Sequence, residues 1–222
     1  MKVIDKQLNK FLNALDRINN EKMIIKCLNK TKNEYKLYDP GNYLYRKLNQ
    51  NYNKNDLFSD EYLKLVYVTL CAWNMNTRGA RLTDFETFVS LLRQNEKLIC
   101  QLSDYKIKEF KEKELKLIEE LFFNLKYLCK QKSKIVTFSK TMHFLLPHLI
   151  VPIDRKYTLS FLKNNVNIPN DIKRQFELYK NIFLAFSLFS KTTDLTEYID
   201  NNWNQNIPKI LDNIVIGYEK LK

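Results

Sequence analysis

Glycine is almost missing from this chain: Gly41, Gly79 and Gly217 are its three glycines in 222 residues. Hairpin turns draw on glycine for positive φ, so a multi-hairpin β fold is excluded, and with it a glycine-rich phosphate loop. Histidine is scarcer still. His143 and His148 flank Pro147 and do not present two ligands on one helical face. The cysteines Cys27, Cys71, Cys100 and Cys129 form no CxxC pair and cluster with neither histidine. Zinc and iron–sulfur sites need ligands gathered locally, so no metal is expected, and no motif calls for another cofactor. Such unpaired thiols suit a reducing compartment, which makes a cytoplasmic location the expectation. Long apolar runs are lacking too. Those around 144–153 and 182–189 fall short of the ~20 residues that cross a bilayer, so no membrane partner is expected. The opening MKVIDKQLNKFLNALDRINN has no continuous apolar stretch and reads as an amphipathic helix rather than a signal peptide.

What is present is core material and positive charge. Hydrophobic residues make up 45% of the chain, with 14 Phe and 13 Tyr, enough for one sizeable core. A single helical domain over 1–222 is expected, with at most two lobes and a cleft near 139–157. The formal net charge is +12, which favours polyanionic partners such as nucleic acid. Lysine supplies 30 of the 37 basic residues and runs along the whole chain, so no basic tail stands out.

Helical periodicity dominates, and an all-α, compact multi-helix fold of about eight to ten helices is expected. Ile4, Leu8, Phe11, Leu12, Leu15 and Ile18 form a first stripe, and a short second helix covers 24–28. Asp39-Pro40-Gly41 reads as a turn, and a helix spans 59–73. Thr83-Asp84-Phe85-Glu86 has the pattern of a capping box. A long lysine-rich helix is expected over 104–130, with its lysines on a solvated face. An aromatic helix follows 169–170, Asp194 with Glu197 reads as a further cap, and Asn206-Ile207-Pro208 opens the last helix.

The segment 135–157, IVTFSKTMHFLLPHLIVPIDRKY, differs in kind. Ser139 is expected to cap a short helix that Pro147 ends, with Lys140 in its first turn beside large apolar groups. Asp154 follows two prolines and is expected to cap a helix over 155–162. Such a cap accepts backbone amides and feels the positive end of the helix, which fixes its carboxylate in place. Arg78 and Arg81, flanking Gly79, and Arg155 suit phosphate contacts. Trp73 and Met75 suit either a pocket wall or the core.

A Ser-Lys pair opening a helix, then an apolar stretch ending in Val151-Pro152-Ile153-Asp154 at another helix start, resembles the helix-hairpin-helix DNA glycosylase superfamily. The likeness is greatest to its 8-oxoguanine DNA glycosylase branch and covers about 20 residues. It implies a base-excision repair glycosylase with AP-lyase activity on damaged or abasic DNA. Lys140 would be the amine nucleophile and Asp154 the essential carboxylate. Ser139, His143, Arg78, Arg81 and Arg155 are then the candidate nucleic-acid contacts. In place of the family's hairpin glycines stands Val136-Thr137-Phe138, and the Lys-to-Asp interval is shorter than usual. The chemistry suits the residue types: a fixed carboxylate stabilises the positive sugar, and apolar surroundings favour a neutral amine. A non-catalytic nucleic-acid-binding protein on the same scaffold is the alternative. Asp154-Arg155-Lys156 also matches half of the PD-(D/E)xK nuclease signature, but that signature needs a sheet that no strand pattern here supplies.

Overall fold

Short polar residues ahead of apolar stretches start most of the helices. In a computed structural model, which describes residues 6–75, 81–111 and 114–222, eleven α-helices follow in order. They are α1 (Lys6–Leu15), α2 (Glu21–Glu34), α3 (Pro40–Gln50), α4 (Asp60–Leu70), α5 (Phe85–Gln94) and α6 (Glu96–Leu102). After them come α7 (Leu115–Asn124), α8 (Ile135–Leu145), α9 (Ser160–Lys163), α10 (Ile172–Thr192) and α11 (Ile207–Leu221). The side chains of Asn20, Asp39, Ser59, Asp84, Asp171 and Asn206 each accept the backbone N–H three residues on, opening α2, α3, α4, α5, α10 and α11. Each such cap stabilises its helix by about 1 kcal/mol. Among the described residues there is no strand, only an isolated bridge between Leu82 and Cys129. No helix there is long and apolar enough to cross a membrane. Arg78, Gly79 and Ile4 lie outside the described residues.

Several boundaries differ from the sequence expectation, one for a local reason and the others for tertiary ones. Asp39-Pro40-Gly41 is a helix start, with Pro40 in the first turn where its missing N–H costs nothing. The cap expected at Thr83 falls on Asp84, because the Thr83 N–H is taken by the Leu128 carbonyl at 3.0 Å. The long helix expected over 104–130 shrinks to α7. Ahead of it, the Ile107 N–H bonds the His148 carbonyl at 2.9 Å and the Ile107 carbonyl accepts from Ser187 Oγ at 2.9 Å. A backbone held at both polar groups by distant elements cannot also join a helical ladder.

α4 does not end at a simple break but runs into a π-helical turn, Cys71–Met75, whose Asn74 has φ +60°. Asparagine tolerates this left-handed conformation better than most residues. α8 starts four residues before Ser139. The amide of Lys134, just ahead of it, is bound from α10, where the buried Gln175 accepts it at 2.7 Å. Ser139 and Lys140 therefore sit in mid-helix rather than in the first turn.

The buried apolar side chains form one continuous cluster. α8 runs through it, with all but Val136 and Lys140 buried along its length. Phe122, Phe138, Phe176, Tyr179 and Phe183 stack where α7, α8 and α10 meet. α11 lies against α2 along much of its length, and α1 packs on α9 and α10. Gly217 sets how close α11 comes, since a Cβ there would overlap the carbonyl oxygen of Cys27 in α2. Replacing Gly217 by Ala must push the helices apart, and is expected to lower unfolding stability by about 1–3 kcal/mol. Urea denaturation checks this, and an unchanged midpoint would mean that α11 shifts freely.

Candidate active site

α8 grips the extended segment after Pro147 with two polar side chains. Ser139 Oγ accepts the Ile153 N–H at 3.0 Å and donates to the Val136 carbonyl at 3.1 Å. One turn on, His143 Nδ1 lies 2.7 Å from the Ile150 carbonyl. A carbonyl only accepts, so Nδ1 carries the proton and Nε2 is left to accept from Tyr45 Oη at 2.9 Å. Asn206, the cap of α11, donates in turn to Tyr45 Oη at 3.5 Å. Ser139 and His143 are both 0% exposed. The sequence assigned them as nucleic-acid contacts, and this is corrected: their polar atoms are spent inside the protein, holding the chain that leads to Asp154. Burial pulls His143 down to about 3, opposed by the Ile150 carbonyl, and raises Tyr45 well above the usual phenol range.

Asp154 caps the helix start as its sequence position suggests. Its Oδ1 accepts the Lys156 N–H at 2.7 Å and the Tyr157 N–H at 3.3 Å, and its own N–H donates to Thr158 Oγ1 at 3.0 Å. The π-helical turn Arg155–Leu159 and α9 follow. The second carboxylate oxygen, Oδ2, faces Lys140 Nζ at 3.5 Å, with side-chain exposures of 12% for the lysine and 33% for the aspartate. The Lys140 amine also stands 5.7 Å from the Trp73 ring centre. The π-helical turn after α4 brings Trp73 here, where its Nε1–H donates to the Gly41 carbonyl at 3.2 Å. Gly41 makes the approach possible, since a Cβ would stand 3.0 Å from Trp73 Cδ1.

Lys140 and Asp154 open onto one cavity of about 300 Å³. Both tryptophans of the chain, Trp73 and Trp203, line it together with Tyr157. So does a second ion pair that sequence reading missed. Lys209 and Asp212, one turn apart on α11, meet at 2.6 Å with side-chain exposures of 2% and 6%. Lys209 Nζ lies 3.9 Å from the Trp203 ring centre, 5.1 Å from Trp73 and 5.7 Å from Tyr45, an aromatic cage that favours a cation. Burial pulls the Lys209 ammonium down and pushes the Asp212 carboxyl up, each opposed by the other's charge. The signal available in the sequence was a lysine and an aspartate on the otherwise apolar face of Ile210, Leu211, Ile214 and Val215.

Among the described residues, the other candidates Arg81, Arg155 and Met75 do not line the cavity. Arg81 is exposed, and its backbone pairs with Lys130 and Gln131. Arg155 follows Asp154 directly but turns its Nε–H to the Val166 carbonyl at 3.2 Å. Met75 is buried in the core. Among the described residues no group of three or more His, Cys, Asp or Glu side chains comes together as a metal set. No family model matches the chain, and neither a curated protein nor a solved structure does.

His143 makes the site's framework acid-sensitive. The unfolded chain takes up a proton near 6.5 that the folded protein refuses down to about 3. Its contribution to stability is therefore complete above 6.5 and is lost progressively as the pH falls toward 3. Urea unfolding at about pH 7 and about pH 5 should show a steeper acid loss for the wild type than for His143→Gln. Equal losses would mean that the imidazole titrates normally in the folded protein.

Proposed function

We propose that this chain is a DNA base-excision repair glycosylase that also acts as an AP lyase, with Lys140 as nucleophile and Asp154 as its electrostatic partner. The observation that carries this reading is the meeting of the two side chains, fourteen positions apart, at 3.5 Å on the wall of one cavity. The resemblance of 139–154 to the helix-hairpin-helix glycosylases assigns the same two residues.

The chemistry follows from their arrangement. Breaking the C1′–N bond to a base leaves positive charge on the sugar, and the electron pair leaves with the base. The Asp154 carboxylate stabilises that charge without reorganising, because Oδ1 is held by two backbone amides while Oδ2 points at the amine. Lys140 Nζ passes a proton to the departing base and adds to C1′. Opening of the sugar ring then yields an iminium, and loss of a C2′ proton with departure of the 3′ phosphate cuts the strand. A base removed from the duplex needs flat surfaces, which Trp73, Trp203 and Tyr157 supply.

Charge supports a base rather than a phosphate as the occupant. Lys140 and Lys209 on the wall are matched by Asp39, Asp154 and Asp212, so the interior is no anion cradle. The +12 net charge is available instead for the DNA backbone.

Borohydride reduction in the presence of abasic and base-damaged duplexes should fix the protein covalently to DNA, and Lys140→Gln should abolish the adduct. Asp154→Asn keeps a capping side chain, so it should fold normally yet lower base release by about 100-fold or more. No adduct from the wild type, or equal trapping by Lys140→Gln, rejects the lyase. Salt-dependent DNA binding without adduct or base release would instead favour a non-catalytic nucleic-acid-binding protein.

A further inference from the structure

The Lys209–Asp212 pair has no part in the chemistry above, yet it lies in the same cavity. A buried ion pair is seldom retained for stability alone, because desolvating both charges offsets most of their attraction. Lys209 Nζ lies over the rings of Trp203 and Trp73, and both members of the pair line the cavity together with those two rings. The ammonium carries three N–H donors and the carboxylate about four acceptor positions, so their mutual contact at 2.6 Å leaves hydrogen-bonding capacity on both. Donor and acceptor are thus fixed side by side, at the spacing of neighbouring polar atoms on the edge of a heterocycle.

Resting on the glycosylase reading and deepening it, we propose that Lys209 and Asp212 are the base-reading residues of the cavity and select a lactam edge. Such an edge sets a ring carbonyl beside a ring N–H, as in guanine, hypoxanthine and uracil. The carbonyl oxygen, which bears most of the negative partial charge of the base, faces the ammonium. The ring N–H, more acidic than an exocyclic amine, faces the carboxylate. Both are charge-assisted hydrogen bonds, roughly twice as strong as neutral ones. Adenine and cytosine, which offer a ring nitrogen and an amino group along their pairing edges, fit the pair less well. Tyr45 backs the pair from the core side, and its hydroxyl is already committed to His143.

Tryptophan emission tests this without any reaction, since both tryptophans line the cavity. Guanosine, inosine and uridine are titrated against the protein beside adenosine and cytidine. The lactam nucleosides should quench with an affinity about 10-fold higher, as expected of a site whose polar groups are left unpaired by the wrong edge. Asp212→Asn should lose that preference. The double replacement Lys209→Met with Asp212→Leu removes both charges together, avoids a lone buried ion, and should also lose it. Circular dichroism and thermal unfolding establish which variants are folded. No quenching of the wild type, no preference for the lactam set, or an unchanged preference in a folded variant of the pair each overturns the proposal. Failure of borohydride trapping with this preference intact would remove the catalytic reading and leave the pocket's selectivity standing.

Discussion

Asn206, Tyr45 and His143 pass hydrogen bonds from one buried side chain to the next until the last ends on the carbonyl of Ile150. Each belongs to a different element: the cap of α11, the middle of α3 and the core face of α8. The Ile150 carbonyl lies on the extended segment that delivers Asp154. Asn206 also accepts the Lys209 N–H at 2.9 Å, so the same residue that closes this chain starts the helix bearing Lys209 and Asp212. Leaving any one of these groups unpaired in the interior costs about 1–3 kcal/mol. The chain therefore fixes the relative positions of α3, α8, α11 and the Asp154 cap, between which the cavity lies.

Two lysine–aspartate pairs with different surroundings share that cavity. Lys140 and Asp154 stand 3.5 Å apart, with side-chain exposures of 12% and 33%. Lys209 and Asp212 are closer, almost fully buried and boxed by aromatic rings, and removing one alone would strand the other. In the proposed reaction the amine is the nucleophile, the anchored carboxylate answers the charge that develops, and the deeper pair reads the base.

What the sequence disclosed about this arrangement was local. Asp154 could be recognised as a cap because the signal, an aspartate after two prolines and ahead of a helical stretch, lies within a few residues. The final helix behind Asn206-Ile207-Pro208 was legible for the same reason, as was the all-helical character of the chain. Elements decided at long range were not. α8 starts early where Gln175, some forty positions away, binds the amide of Lys134. The expected helix over 104–130 is cut short by bonds to the His148 carbonyl and Ser187. Ser139 and His143 lie close to Lys140 in sequence, but their direction was invisible: they point inward and hold the segment that leads to Asp154. Trp73, Trp203 and the Lys209–Asp212 pair meet Lys140 only after folding, so the lysine and aspartate on α11 could be noticed but not placed beside it.

The central claim is that the Lys140 amine is the atom that bonds to an abasic sugar. Borohydride-fixed protein–DNA adduct can be digested and the modified peptide sequenced by mass spectrometry. The added mass should reside on Lys140 alone. Finding it on Lys209, on a surface lysine, or on no lysine at all would contradict this account.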